Sequence, residues 1–177
     1  FCGAAFDKNL TEKLIDSPTS ITPWKFFGDN SVNVAGFSTL NVIVNLYALD
    51  TNKETTSSHD FARGRVGEKQ LFELRHRWLL ASKQPNEIRI LLFHHHPFDR
   101  GYMIELEDST ALIDTIAGKI DIVCFGHKHK QELYKDLHDV PYWIASGASP
   151  IEPNAFEITI DELDGLPNIS IGKVPIR

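Results

Sequence analysis

Two apolar runs that each break off into histidines constrain this chain more than any other feature. Ile88-Arg-Ile-Leu-Leu-Phe93 leads into His94-His-His-Pro97, and Ile120-Asp-Ile-Val-Cys-Phe125 leads into Gly126-His-Lys-His129. Short apolar runs bounded by polar residues predict strands buried on both faces, as in a parallel sheet. Ligands of open α/β sheets sit in the loops past the carboxyl ends of the strands. Two such strands side by side would therefore bring His94, His95, His96, His127 and His129 to one rim. A lone histidine at a strand end is usually a hydrogen-bonded structural residue. Histidines on two strand ends built alike point instead to a metal site, because neutral imidazole is the commonest protein ligand for ions such as Zn, Mn and Fe. The alternative is a His-rich surface loop. In an extended segment His127 and His129 would share a face; in a turn they would diverge toward two ions. Gly126 lets the chain turn tightly there and approach whatever lies above.

The surrounding pattern is α/β. Glu68–Ser82 predicts a helix whose Leu71, Leu74, Trp78 and Leu79 form one apolar stripe, with Gly67 before it and Pro85 beyond. His76 falls between stripe positions and reads as a surface residue. Asp108 or Ser109 caps a second helix running to Ala117, with Gly118 as its stop. Strand, helix, strand, helix, strand implies parallel crossovers. Val32–Phe37 and Asn41–Leu49 read as further strands, as does Val140–Ala145. Phe156–Ile160 alternates as a half-exposed strand, and Asp164-Gly165 turns the chain into a returning strand over Asn168–Val174, an antiparallel hairpin.

Other segments say less. Thr11–Asp16 predicts about a turn of helix, and Ser17–Ser20 with Pro23 a loop. Trp24, Phe26 and Phe27 read as packing residues, or as a stacking platform for a base. Residues 51–66 are polar and aperiodic, which suits a lid or a flexible segment; Arg63 and Arg65 there are ordinary surface arginines unless they meet a phosphate. Asp50 ends a strand, as a polar cap or as a ligand. Arg100 and Tyr102 follow the His-His-His-Pro turn and are candidates for substrate contacts.

A length of 177 residues suits one domain with a substantial core. The formal charge of −6 argues against a strongly electrostatic nucleic-acid binder. Cys2 and Cys124 lie far apart and read as reduced thiols, which fits an intracellular, cytoplasmic protein. No apolar run approaches the ~20 residues that span a bilayer, and no signal-peptide pattern opens the chain. The chain starts at Phe1, which suggests part of a longer polypeptide.

His-His-His-Pro after one apolar strand and Gly-His-x-His after another resemble the last two motifs of the calcineurin-like metallophosphoesterases, and within them the cyclic-nucleotide phosphodiesterase branch. The resemblance runs from about Asn41 onward. It takes in Leu49-Asp50-Thr51, the Gly67…Gln70 entry into the helix carrying Trp78, both histidine motifs and the closing hairpin. It implies the C-terminal part of a two-sheet β-sandwich flanked by helices, as a single domain lacking its N-terminal half. It also implies that His95 and His127 bind one metal ion and His129 a second, the ions being Mn, Fe or Zn. His94 and His96 become candidates for steadying a phosphate or protonating a leaving oxygen.

The family's earlier motifs, Asp-x-His, Gly-Asp-x-x-Asp and Gly-Asn-His, are absent upstream of His95. Gly28-Asp29-Asn30 begins like the second, but Val32 stands where its aspartate belongs, and Asp136-Leu-His138 comes too late and reads as a solvated turn. Two cations ~3.5–4 Å apart need a bridging carboxylate to offset their repulsion, so these histidines are half a site. The resemblance implies hydrolysis of a small phosphoester, favouring a phosphodiester such as a cyclic nucleotide, through a metal-activated water. The competing expectations are a metal-free phosphoesterase-like scaffold and, more weakly, a single structural ion. The sequence leaves oligomeric state open.

Overall fold

In a computed structural model of the chain, the residues described are 20–25, 32–38, 41–52, 63–99, 101, 104–147 and 153–175. Phe26, Phe27, Arg100, Tyr102, the Thr11–Asp16 helical turn and most of the expected 51–66 lid lie outside them.

Seven strands form one mixed sheet, ordered β1 (Ser20–Lys25), β2 (Asn33–Ser38), β3 (Ile43–Ala48), β4 (Glu87–Leu92), β5 (Ile122–Phe125), β7 (Val140–Ala145), β6 (Glu132–Leu137). The run β3-β4-β5-β7 is parallel; β1, β2 and β6 add antiparallel edges. The expected crossovers are present: α1 (Glu68–Glu73, continuing as a wide turn over Leu74–Trp78) joins β3 to β4, and α2 (Ser109–Ile116) joins β4 to β5. A hairpin of β8 (Asn154–Leu163) and β9 (Leu166–Pro175) forms a separate two-stranded sheet. The molecule is thus a strand-rich α/β fold with few helices and a closing antiparallel hairpin.

The pleat divides the apolar residues between two cores. Tyr47, Leu91, Val123 and Trp143 face the helices, where Leu74, Leu79, Leu112 and Ile116 meet them. Val44, Ile88, Ile90, Ile122 and Ile144 face the other way, toward Phe156, Ile158, Ile160, Ile169 and Ile171 of the hairpin. Burying each of these side chains stabilises by roughly 1.5–3 kcal/mol, which is why the central strands carry near-continuous apolar runs. Arg89 interrupts its run with its charge paired: Glu87 holds it at 2.6 Å and both are buried.

Several boundaries differ from the sequence pattern, each for a local reason. β5 starts at Ile122 rather than Ile120 because the Asp121 carboxylate accepts the Arg89 N–H at 2.8 Å, displacing the ladder bond. α1 ends short of Ser82, where the guanidinium of Arg89 takes the Ala81 carbonyl. β1 runs through Pro23, expected in a loop; it is a sheet edge, and the register shifts between Thr22 and Lys25 around the residue that lacks an N–H. β6 has no apolar run to announce it. As the other edge it tolerates charged residues and gives only Tyr134 and Leu137 to the core. Asp136, expected in a turn, belongs to it, and the turn falls on His138 and Asp139, both left-handed. Among the described residues no helix is long and apolar enough to cross a membrane.

Candidate functional site at the carboxyl ends of β4 and β5

Parallel pairing levels the ends of three strands. Leu49 N–H donates to the Leu92 carbonyl, Phe93 N–H to that of Cys124, and Gly126 N–H to that of His94, all at 2.9–3.1 Å. The histidines that follow are thereby gathered. The rings of His95 and His127 lie 4.6 Å apart between centroids, those of His94 and His127 5.0 Å, and those of His94 and His95 5.1 Å. His127 Nδ1 and His94 Nε2 approach to 3.1 Å, so one proton lies between them. His127 and His129 both take left-handed backbone, with φ of 74° and 55°, and the loop zigzags rather than extending. His129 is exposed and stands outside the three-ring cluster.

His95 is the most constrained member. Only 4% of it is exposed. Its Nδ1 shares a 2.8 Å hydrogen bond with the Thr51 hydroxyl, and the Gly64 backbone lies against the ring. Burial first, then the neighbouring His127 and His94, push its pKa down to about 4, so the ring is neutral at pH 7. Burial and His129 also lower that of His94. The residue before Thr51 is held by Gln70, fully buried on α1, whose side chain accepts the Asp50 N–H and donates to the Asp50 and Val66 carbonyls.

His96 turns inward. Its Nδ1 accepts the Phe98 N–H at 3.2 Å, so the ring proton sits on Nε2, which donates to Glu132 Oε2 at 2.8 Å. Both nitrogens are engaged, and the ring lies edge-on to Phe125. Glu132 also accepts the Tyr134 hydroxyl and the Lys130 ammonium. Burial alone would raise the Glu132 pKa, but the donors from His96, Tyr134 and Lys130 outweigh it and hold the carboxyl at about 2. Tyr134 is pushed up to about 12, by burial and by that carboxylate. At the surface Lys128 pairs with Asp99 at 2.8 Å, linking the same two loops.

Asp50 caps its own turn through Asn52, Arg63 pairs with Glu105 and Glu107, and the His138 ring stacks on Phe98. Among the described residues no group of three or more His, Cys, Asp or Glu side chains, the three clustered histidines included, has an arrangement that could hold a metal ion. By themselves these described residues do not fit a two-ion centre. A cleft of about 410 Å³ lies elsewhere, between Asn45, Tyr47, Trp78, Glu87 and Arg89. Sequence reasoning passed over Gly64 and Glu132, and it included Thr51 and Gln70 in the family resemblance without giving either a role. Thr51 beside a strand-end aspartate and Glu132 just after the second histidine loop were the only signals of that kind.

No protein-family model matches the chain, and no curated protein sequence matches it.

Proposed function

We propose that this chain carries the imidazole half of a metal-dependent phosphoester hydrolase of the calcineurin-like kind, acting on a small phosphodiester such as a cyclic nucleotide. The observation that carries the reading is the convergence of His94, His95 and His127 on the level ends of adjacent parallel strands. On this reading the seven-stranded sheet and the β8–β9 hairpin are the two sheets of a sandwich. His95, His127 and His129 are the residues that would hold Mn, Fe or Zn. Bound ions of that type supply positive charge and an activated water. The chain's own contribution is orientation: Thr51 fixes the His95 ring, as an outer hydrogen bond does for a ligating imidazole, and His94 stands exposed at the rim. The carboxylates the ions require come from outside the described residues.

A second reading, a metal-free phosphoesterase-like scaffold, is favoured by the lack of any three-residue metal group among the described residues. Elemental analysis after Mn loading and desalting, with intact mass recorded and bis-p-nitrophenyl phosphate and cyclic AMP as substrates, separates the two. Two ions per chain with turnover support the hydrolase; no ion and no turnover leave the scaffold.

A further inference from the structure

We propose that Glu132 is a positioning residue, which through His96 holds the His-His-His-Pro turn and the Gly-His-Lys-His loop in one alignment. Its consequence for turnover rests on the hydrolase reading; the geometry does not. Glu132 opens β6, three residues after His129. Its Oε2 accepts His96 Nε2–H at 2.8 Å and the Tyr134 hydroxyl at 2.7 Å, and its Oε1 accepts Lys130 at 2.9 Å. One carboxylate thus collects three donors from the turn after β4 and the chain after β5.

The partner in the turn is immobilised. His96 is 2% exposed and lies edge-on to Phe125 at 4.8 Å, and its second nitrogen is taken by Phe98. With His96 anchored inward, His95 is left to Thr51 and His94 to His127. The Asp99–Lys128 pair joins the same loops, but its ammonium is a third exposed, and such pairs contribute little. Hydrogen bonds to an ionised carboxylate away from water are the stronger kind. The alignment therefore depends on Glu132 more than on Asp99.

The test is the histidine-ring ¹⁵N–¹H NMR spectrum of the metal-free full chain, read beside its thermal transition. In Glu132→Ala the ring signals of His94, His95 and His127 should move together with those of His96. Glu132→Gln, whose amide oxygen still accepts from Nε2–H, should restore most of the pattern. If Glu132→Ala does not fold, Glu132→Asp, one methylene shorter, is expected to show the same displacement. On a phosphodiester, kcat should fall about tenfold in Glu132→Ala with KM within threefold, and recover in Glu132→Gln. A folded Glu132→Ala in which only His96 and Tyr134 signals move overturns the proposal, as does a Glu132→Gln no better than Ala. A wild type that turns over nothing, with the coupled ring shifts still seen in Glu132→Ala, sinks the hydrolase reading and leaves this inference standing.

Discussion

The backbone of Gly64 lies so close to the imidazole of His95 that a Cβ at residue 64 would sit 2.3 Å from His95 Cγ and 2.4 Å from Nδ1. Gly64 is held there from both sides, bridged to Asn52 and to Leu106, so neither partner has room to give. Gly64→Ala should destabilise the fold by about 1–3 kcal/mol, the usual range for overpacking, or swing His95 out of line with Thr51. Urea unfolding and the His95 ring signals separate these two responses. An unchanged midpoint with an unmoved ring would show that the contact is not as tight as described.

Thr51 is the hydroxyl that sets His95. Thr51→Val keeps the shape and removes the oxygen, leaving a buried imidazole nitrogen unpaired at about 1–3 kcal/mol. On the hydrolase reading the variant should lose roughly tenfold in phosphodiester turnover, about 1.4 kcal/mol in the barrier, and Thr51→Ser should recover most of it. Equal losses in Val and Ser variants would argue that packing, not the hydrogen bond, is what matters.

The depressed His95 pKa gives stability a pH dependence of defined sign. In the unfolded chain the ring titrates near 6.5, and in the fold near about 4. Between those values the unfolded state binds a proton that the folded state refuses. The metal-free protein should therefore lose on the order of 2–3 kcal/mol as pH falls through that window, and nothing from this source above it. Thermal unfolding at pH 7.5 and pH 5 should show a larger loss in wild type than in His95→Gln.

Gln70 grips both backbone polar groups of Asp50 from inside the core. Gln70→Leu should cost about 1–3 kcal/mol, because it strands the part-buried N–H and carbonyl of Asp50 at the exit of β3. Hydrogen exchange at the Asp50 amide should accelerate well beyond that of β4; protection equal to wild type would be the contrary result.

Cys124 lies on β5 with its thiol pushed up to about 12 by burial. Thiolate is the reactive form, so brief iodoacetamide treatment at pH 8 should leave the Cys124 peptide unlabelled in the native protein and label it in urea. Labelling of Cys124 without denaturant would mean that β5 opens readily.

The sequence by itself determined the central strands, the two crossover helices and the hairpin, because these elements bury apolar side chains at the periods their geometry requires. Ile88–Phe93 and Leu71–Leu79 need no partner to be read, since a bounded apolar run and the helical stripe are local patterns. It determined equally that histidines would gather past β4 and β5, for parallel strands exit a sheet at one edge. What each histidine does there was decided by tertiary structure. Three adjacent imidazoles, identical in the sequence, part company: His94 goes to the rim and His127, His95 to Thr51 beneath Gly64, His96 inward to Glu132. The partners that sort them lie 33 to 44 residues away along the chain. Hydrogen bonds across such separations leave no periodic trace, and an edge strand such as β6 carries charges that mask it. Only folding brings those partners to the histidines, and the division of labour at the site follows from it.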